Sequence, residues 1–335
     1  MRPAISSNVA ATERADRSQP SASGLIAFVT RHRVLVAILF LVVLPWLMPY
    51  KALAVNILIF GLFAMGFNLV YGYAGMLSFG HAALFGLGAY GCGIPIAKLG
   101  WPWYAALPFS ILVAGLGAAL IGWFATRTRG IYFAMVTLAL SQVVYYVAFQ
   151  WVSVTGGEDG LRGVNVPEVS VFGARLTLLD PTTKYYLILV FVALGLALFS
   201  RILNSPFGAV IEAMRENEAR ARACGYDVKR VRYVVFVLSG LFSGLAGALW
   251  AIHLSIVPIT TLDIFTSASV LMMTLLGGMG TFFGPFLGAF AYLFLQDVVT
   301  VITPHWQIVI GTIFVLLILF FPRGIWGSLL HWMRR

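Results

Sequence analysis

The sequence predicts an all-α polytopic membrane protein of about ten transmembrane helices, some broken or re-entrant. Three observations carry that prediction. Hydrophobic residues fill 60% of the 335 positions and charged residues only 10%, against about 25% charged in an ordinary soluble domain. The apolar residues are gathered into runs near the ~20 residues that a helical span requires. The basic residues alternate in density from one side of those runs to the other. This balance excludes a soluble enzyme, a disordered tail protein and a secreted disulfide scaffold. The net charge of +10 does not point to nucleic acid, because the rest of the chain is too apolar for that partner.

In chain order, residues 1–30 form a solvated tail. Met1–Gly24 mixes charges with Ser, Ala and Pro and is predicted to be disordered and cytoplasmic. It has no short apolar core ending at a small-residue cleavage site, so it is not read as a signal peptide. Apolar runs then place spans at 34–50, 52–71, 82–97, 103–125, 131–151, 184–203, 232–256, 264–283, 284–303 and 306–322. Together they make a membrane domain over 31–327. Pro, Gly or charged residues mark the short breaks, as in Pro49–Lys51, Gly100–Pro102, Arg127–Gly130 and Thr303–His305. Two connections are long and polar, 152–183 and 204–231, and a basic tail closes the chain at 328–335. With the N-terminus inside, 17 of the 22 Lys and Arg residues fall on the cytoplasmic side and five outside, as the positive-inside rule requires. An even number of spans keeps both termini cytoplasmic.

Four stretches carry information beyond the spans. Asn68–Tyr90 holds glycines at 72, 75, 80, 86 and 88, with Ser78 and His81 between them. Glycine permits close helix approach, and also broken backbone where a cavity is lined. The stretch therefore reads either as a tight helix contact or as a discontinuous helix whose Asn68, Ser78 and His81 face a solute path. Thr155–Gly163 is a glycine-rich outside turn cluster with Glu158 and Asp159. Phe207–Gly225 reads as one amphipathic cytoplasmic helix, entered at Ser205-Pro206 and stopped at Gly225. Phe207, Ile211, Met214, Ala221 and Cys224 form its apolar face, and the pairs Glu216/Arg220 and Glu218/Arg222 stand on the other. Its mixed charges suit docking to a soluble partner better than lying on headgroups. Leu275–Ala289 is a second glycine-dense break, and Phe321–Gly327 ends the last span.

No enzyme signature occurs. None of the four lysines is followed by Ser or Thr, so a phosphate-binding GxxxxGK[ST] loop is absent, as are HExxH and GxSxG. Five scattered histidines and two cysteines, Cys92 and Cys224, give neither a metal-binding pattern nor a disulfide framework. His81, His253, Asp263 and Asp297 sit at span edges. The scarcity of ionisable groups inside the spans argues against ion-coupled transport. A channel, or a carrier powered from outside the membrane, remains.

At Asn68–Tyr90, Gly130–Leu138, Thr155–Gly163, Phe207–Gly225, Gly277–Ala289 and Phe321–Gly324 the chain resembles the permease subunits of branched-chain amino-acid ABC importers, and among these the longer of the two permeases. The resemblance spans roughly 55–327 and rests on several motifs in the same order. It implies the ABC importer permease fold and a bacterial cytoplasmic (inner) membrane. The implied partners are two cytoplasmic ATPase subunits, a second homologous permease and a periplasmic solute-binding protein. The chain itself would carry no cofactor, no metal and no catalytic residue, with ATP and magnesium on the ATPases. Glu212, Arg215, Glu216, Glu218, Arg222 and Gly225 then form the ATPase-coupling segment, although Glu218 precedes Gly225 by seven residues where the family's motif has six. Asn68, Ser78, His81, Thr137, Gln142, Thr155 and Asp159 are the candidate translocation path. Urea, short amides or small carboxylic acids are alternative solutes, and an ATP-independent channel is an alternative function.

Overall fold

The computed structural model describes residues 33–166, 168–171, 174–177, 180–303, 305–320 and 324–333. The predicted tail at 1–30 lies outside them. The chain is helical almost throughout. Helix α1 is Arg33–Leu47. Helix α2, Lys51–Asn68, continues into a π-helical turn at Leu69–Tyr73. Next come α3 (His81–Leu99), α4 (Trp103–Ala125), α5 (Ile131–Gln150) and α6 (Pro181–Leu203). Two short helices follow, α7 (Pro206–Glu216) and α8 (Glu218–Ala223), and then the longest, α9 (Val228–Leu254). The last four are α10 (Ile264–Gly277), α11 (Gly284–Ile302), α12 (Trp306–Phe320) and α13 (Gly324–Met333). Seven of these are long and apolar enough to cross a membrane, with α2 and its π turn counted as one; α1, α10 and α12 are apolar but shorter.

A helix that is apolar on every side must be covered on every side, and α2 fits that rule. From Leu53 to Tyr73 nearly every residue is buried, and α9, α11 and α6 surround it. Lipid tails give helices no hydrophobic reason to associate, so close packing of small residues does that work. It is close where α9 crosses α3. A Cβ at Gly88 would stand 2.2 Å from the Gly244 carbonyl oxygen, and one at Gly247 would stand 1.9 Å from that of Phe85. Helices α4, α5 and α6 turn apolar faces outward, with Leu112, Leu116, Leu120, Val143, Val190 and Leu194 exposed.

Helix starts follow local capping chemistry. Asp180 accepts from the Thr182 amide ahead of Pro181, and this bond holds the Asp180 carboxyl below the usual range. Ser205 caps α7 ahead of Pro206, Asn217 caps α8 and Asp227 caps α9. At the opposite end of the bundle, Gly156, Gly157, Gly160 and Gly163 all have positive φ. They fold the loop after α5 tightly enough for β1 (Leu161–Arg162) to pair with a short strand at Ile256–Val257 after α9.

Three expectations need correction. The span predicted at 264–283 stops at Gly277, because Gly278 and Gly280 take φ of 110° and 72°, and its 14 residues reach only about 21 Å at 1.5 Å per residue. The single amphipathic helix over 207–225 is two helices. Asn217 breaks it in an extended conformation (φ −156°, ψ 99°), so Glu216 and Arg220 are not on one helix, and Cys224 is exposed. The closing tail is helical through Met333 in α13.

Candidate functional site

The two glycine-dense breaks meet at one end of the bundle. After the π turn the chain leaves helix at Ala74 and re-enters at His81; π turns of this kind are often found at functional positions. The second break runs from Gly278 to Phe283, between α10 and α11. Asn68, fully buried, ties the two together. Its Nδ2 donates to the Thr281 carbonyl at 2.9 Å, and its Oδ1 accepts from the Gly280 amide at 2.9 Å. Gly72 is bare for this reason: a Cβ there would lie 1.9 Å from Asn68 Oδ1.

Ser78 and His81 brace the first break from the other side. Both are fully buried. Ser239 donates to the Gly66 carbonyl at 2.6 Å, which leaves its oxygen to accept from His81 Nε2 at 2.8 Å. His81 Nδ1 therefore accepts from Ser78 Oγ at 2.9 Å. The chain Ser78–His81–Ser239–Gly66 has one hydrogen per link and needs a neutral imidazole with the proton on Nε2. Thr137, also buried, accepts from the Phe79 amide at 3.2 Å. Asn68, Ser78, His81 and Thr137 are thus brought together around the breaks, with their hydrogen-bonding capacity used inside the protomer. Gln142 is half-buried midway along α5. Thr155 is buried at the far end, with its hydroxyl 2.5 Å from the Ala148 carbonyl, and Asp159 is exposed there.

The predicted coupling residues gather beneath the breaks. Arg215 lies along both: its Cγ is 3.3 Å from where a Gly75 Cβ would stand, and a guanidinium nitrogen is 2.8 Å from the same point on Gly280. Glu218 holds three arginines, Arg129 at 2.9 Å, Arg222 at 2.5 Å and Arg232 at 2.5 Å. One carboxylate thereby joins α8 to the α4–α5 link and to α9. Glu212, Glu216 and Gly225 are exposed. Sequence reasoning missed Arg129 and Arg232 as members of this cluster, because they lie 89 and 14 residues from Glu218 in the chain.

It also missed a cavity of about 580 Å³ at the opposite end, lined from α2, α3, α9, α10, α11 and α12. Phe60, Phe85 and Trp250 form an aromatic wall, with ring centroids 5.1 Å apart for Phe60–Trp250 and 5.9 Å for Phe60–Phe85. Asp263, Asp297, Asn56 and several hydroxyls also line it. Tyr50 donates to Asp297. Two aspartates near span edges were the available signal, but nothing in their spacing shows that they share a chamber.

Comparison with known proteins places this sequence in a family. Residues 50–319 match the family model described as branched-chain amino acid transport system / permease component. The high-affinity branched-chain amino acid transport system permease protein LivM of Escherichia coli (strain K12) is 27% identical over 289 residues, covering 80% of this chain and 68% of that protein. A probable LivM of Methanocaldococcus jannaschii is 24% identical over 74% of this chain and 81% of its own length. LivH of Escherichia coli (strain K12) is 24% identical over 80% of this chain and 91% of its own. No solved structure matches. The matched segment takes in the buried central helix, both glycine breaks, the Arg215 and Glu218 cluster and the cavity at the opposite end, so this multi-pass membrane chain belongs to the family of branched-chain amino acid transport system permease components.

Proposed function

We propose that this permease works in an ATP-driven importer of the bacterial inner membrane, pairing with a second, related permease to form the path for branched-chain amino acids delivered by a periplasmic binding protein. ATP and magnesium act on two cytoplasmic ATPase subunits. The observation that carries the reading is the contact between α7–α8 and the two breaks. Arg215 lies across Gly75 and Gly280, and Glu218 ties the same segment to α9 and to the α4–α5 link. A push on α7–α8 is thereby delivered to the backbone breaks of α2–α3 and α10–α11. Three arginines on one carboxylate also leave positive charge for an acidic partner surface.

In this reading the three shorter apolar helices α1, α10 and α12 complete ten spans, α10 crossing as a broken span together with the non-helical backbone that follows it, and both termini lie inside. The end that carries Arg129, Arg215, Glu218 and Arg232 faces the cytoplasm, and the end with the Asp263–Asp297 cavity faces outward. That agrees with the basic bias of the inner loops. Pull-down of the tagged chain should recover both ATPase subunits. The paired reversal R215E/E216R should cut ATP-dependent uptake while the protein still inserts in the membrane. Normal uptake by that variant would remove the docking role.

A further inference from the structure

A separate cavity of about 220 Å³ lies between α1, α6, α11 and α13, at the end of the bundle that holds the two breaks. The described residues lining it are all aliphatic or aromatic. Ala37, Leu41, Phe282 and Phe286 are buried in its wall, and Phe40 stands exposed beside them. Water gains little in a hollow without polar partners, and a hollow left empty forfeits the packing contacts of its walls. A bilayer supplies one filler of matching chemistry, a hydrocarbon chain. Arg33 heads this hollow. It stands one turn before Ala37 on the same face of α1, with its Cζ 4.8 Å from the centroid of the Phe282 ring. One of its guanidinium nitrogens donates to Asn204 Oδ1 at 2.7 Å, a neutral partner that leaves the charge unbalanced. No carboxylate among the described residues forms a salt bridge with it, and a guanidinium has five N–H donors to offer. Trp326 packs on Phe283 with ring centroids 4.9 Å apart, an aromatic of the kind that settles at headgroup level.

We infer that this cavity is a lipid site, which takes an acyl chain of one anionic phospholipid and sets that lipid's phosphate on Arg33. The unbalanced guanidinium selects the headgroup. A net-negative phosphate meets charge-assisted donors there, whereas a zwitterionic headgroup brings an ammonium that offsets the attraction. The assignment to the cytoplasmic leaflet, where anionic lipids attract basic residues next to the membrane, rests on the orientation proposed above; the cavity and its pairing with Arg33 do not. Phe282 and Phe283 belong to the second glycine break, so the bound chain packs against the same backbone break that Asn68 and Arg215 touch from the other side. A component of the bilayer thereby becomes part of that break's support.

The test places the assembled permease–ATPase complex in phosphatidylcholine nanodiscs with a trace of phosphatidylglycerol or phosphatidylcholine that carries a photoreactive diazirine on its acyl chain. Label is mapped by peptide sequencing. Peptides from α1 and α11 that line the cavity should be labelled by the phosphatidylglycerol probe about fivefold more than by the phosphatidylcholine probe, the preference that one basic residue near the surface confers. R33Q should flatten that ratio and R33K should keep most of it. A37F, which adds a ring to the wall, should lower the label from both probes. Because the ratio is read within one preparation, partial loss of folded protein does not mimic the result. Equal labelling by the two probes in the parent protein would overturn the inference, as would a ratio unchanged in R33Q or no label on the cavity wall. Label that enters the cavity only after deletion of residues 1–30 would give the space to the chain's own N-terminal segment and would also overturn it. Both nanodisc leaflets carry the probe, so the labelling does not depend on orientation. Orientation is read separately from Cys224, exposed at the same end, which should resist a membrane-impermeant maleimide in intact spheroplasts. Reaction there would refute the proposed orientation and with it the cytoplasmic leaflet, while the labelling ratio alone decides the lipid site.

Discussion

Gly247 sets the scale at which single atoms matter in this protein. A Cβ there would fall 1.9 Å from the Phe85 carbonyl oxygen and 2.9 Å from the Ala89 nitrogen, both backbone atoms of α3. Neither can move without bending the helix. G247A should therefore cost about 1–3 kcal/mol as an overpacked contact, read as a lower thermal midpoint of the purified protein. Gly311 on α12 has nothing within 4 Å of its Cβ position, and G311A should stay within about 0.5 kcal/mol of the parent. Equal midpoints for the two variants would mean that the α3–α9 crossing is looser than described. Ser239 makes a second case. Removing its hydroxyl leaves the Gly66 carbonyl and His81 Nε2 buried without that partner, so S239A should lose about 1–3 kcal/mol despite its small change in volume.

At the scale of elements, the decisive feature is Glu218, which fastens α8 to its surroundings through Arg129 and Arg232 while also pairing with Arg222 of its own helix. In the proposed importer this contact carries the ATPase push, and allosteric couplings are typically worth a factor of about five or more. E218Q should lower ATP-driven uptake by about that factor while the assembled complex is still recovered by size exclusion; unchanged uptake would mean that the clasp takes no part in transmission. Arg215 makes a finer test. R215K keeps an aliphatic stem over Gly75 and should retain more uptake than R215A. The helices themselves were legible in the sequence, because apolar run length and Pro, Gly and charge punctuation act locally. The discontinuity after Asn68 was legible for the same reason, since its glycines sit together in the chain. The stop at Gly277 was missed because the run to Phe283 stays apolar, while backbone at positive φ ends the helix. The break at Asn217 was missed because the side chain of Asn217 caps the helix that follows it, a role that an amphipathic pattern does not register. Asn68 is a different case: its type and its place at a break were visible, but its partners at Gly280 and Thr281 lie more than 200 residues away.

For the whole molecule, the charges describe an oriented machine. The arginine-rich cluster with Arg215 and Glu218 stands at one end, and a chamber whose lining carries aspartates stands at the other. Between them the buried α2 and its π turn run toward the breaks. In the proposed importer, work enters at the first end and solute at the second, so the two ends must communicate through α2, α9 and the α10–α11 pair. The most direct test reconstitutes the chain with its second permease and ATPase subunits in proteoliposomes, supplies the binding protein on the outer side and follows labelled leucine. Accumulation above the external concentration, present with hydrolysable ATP and absent with a non-hydrolysable analogue, is the predicted result. Leucine that merely equilibrates, at the same rate with and without ATP, would contradict it.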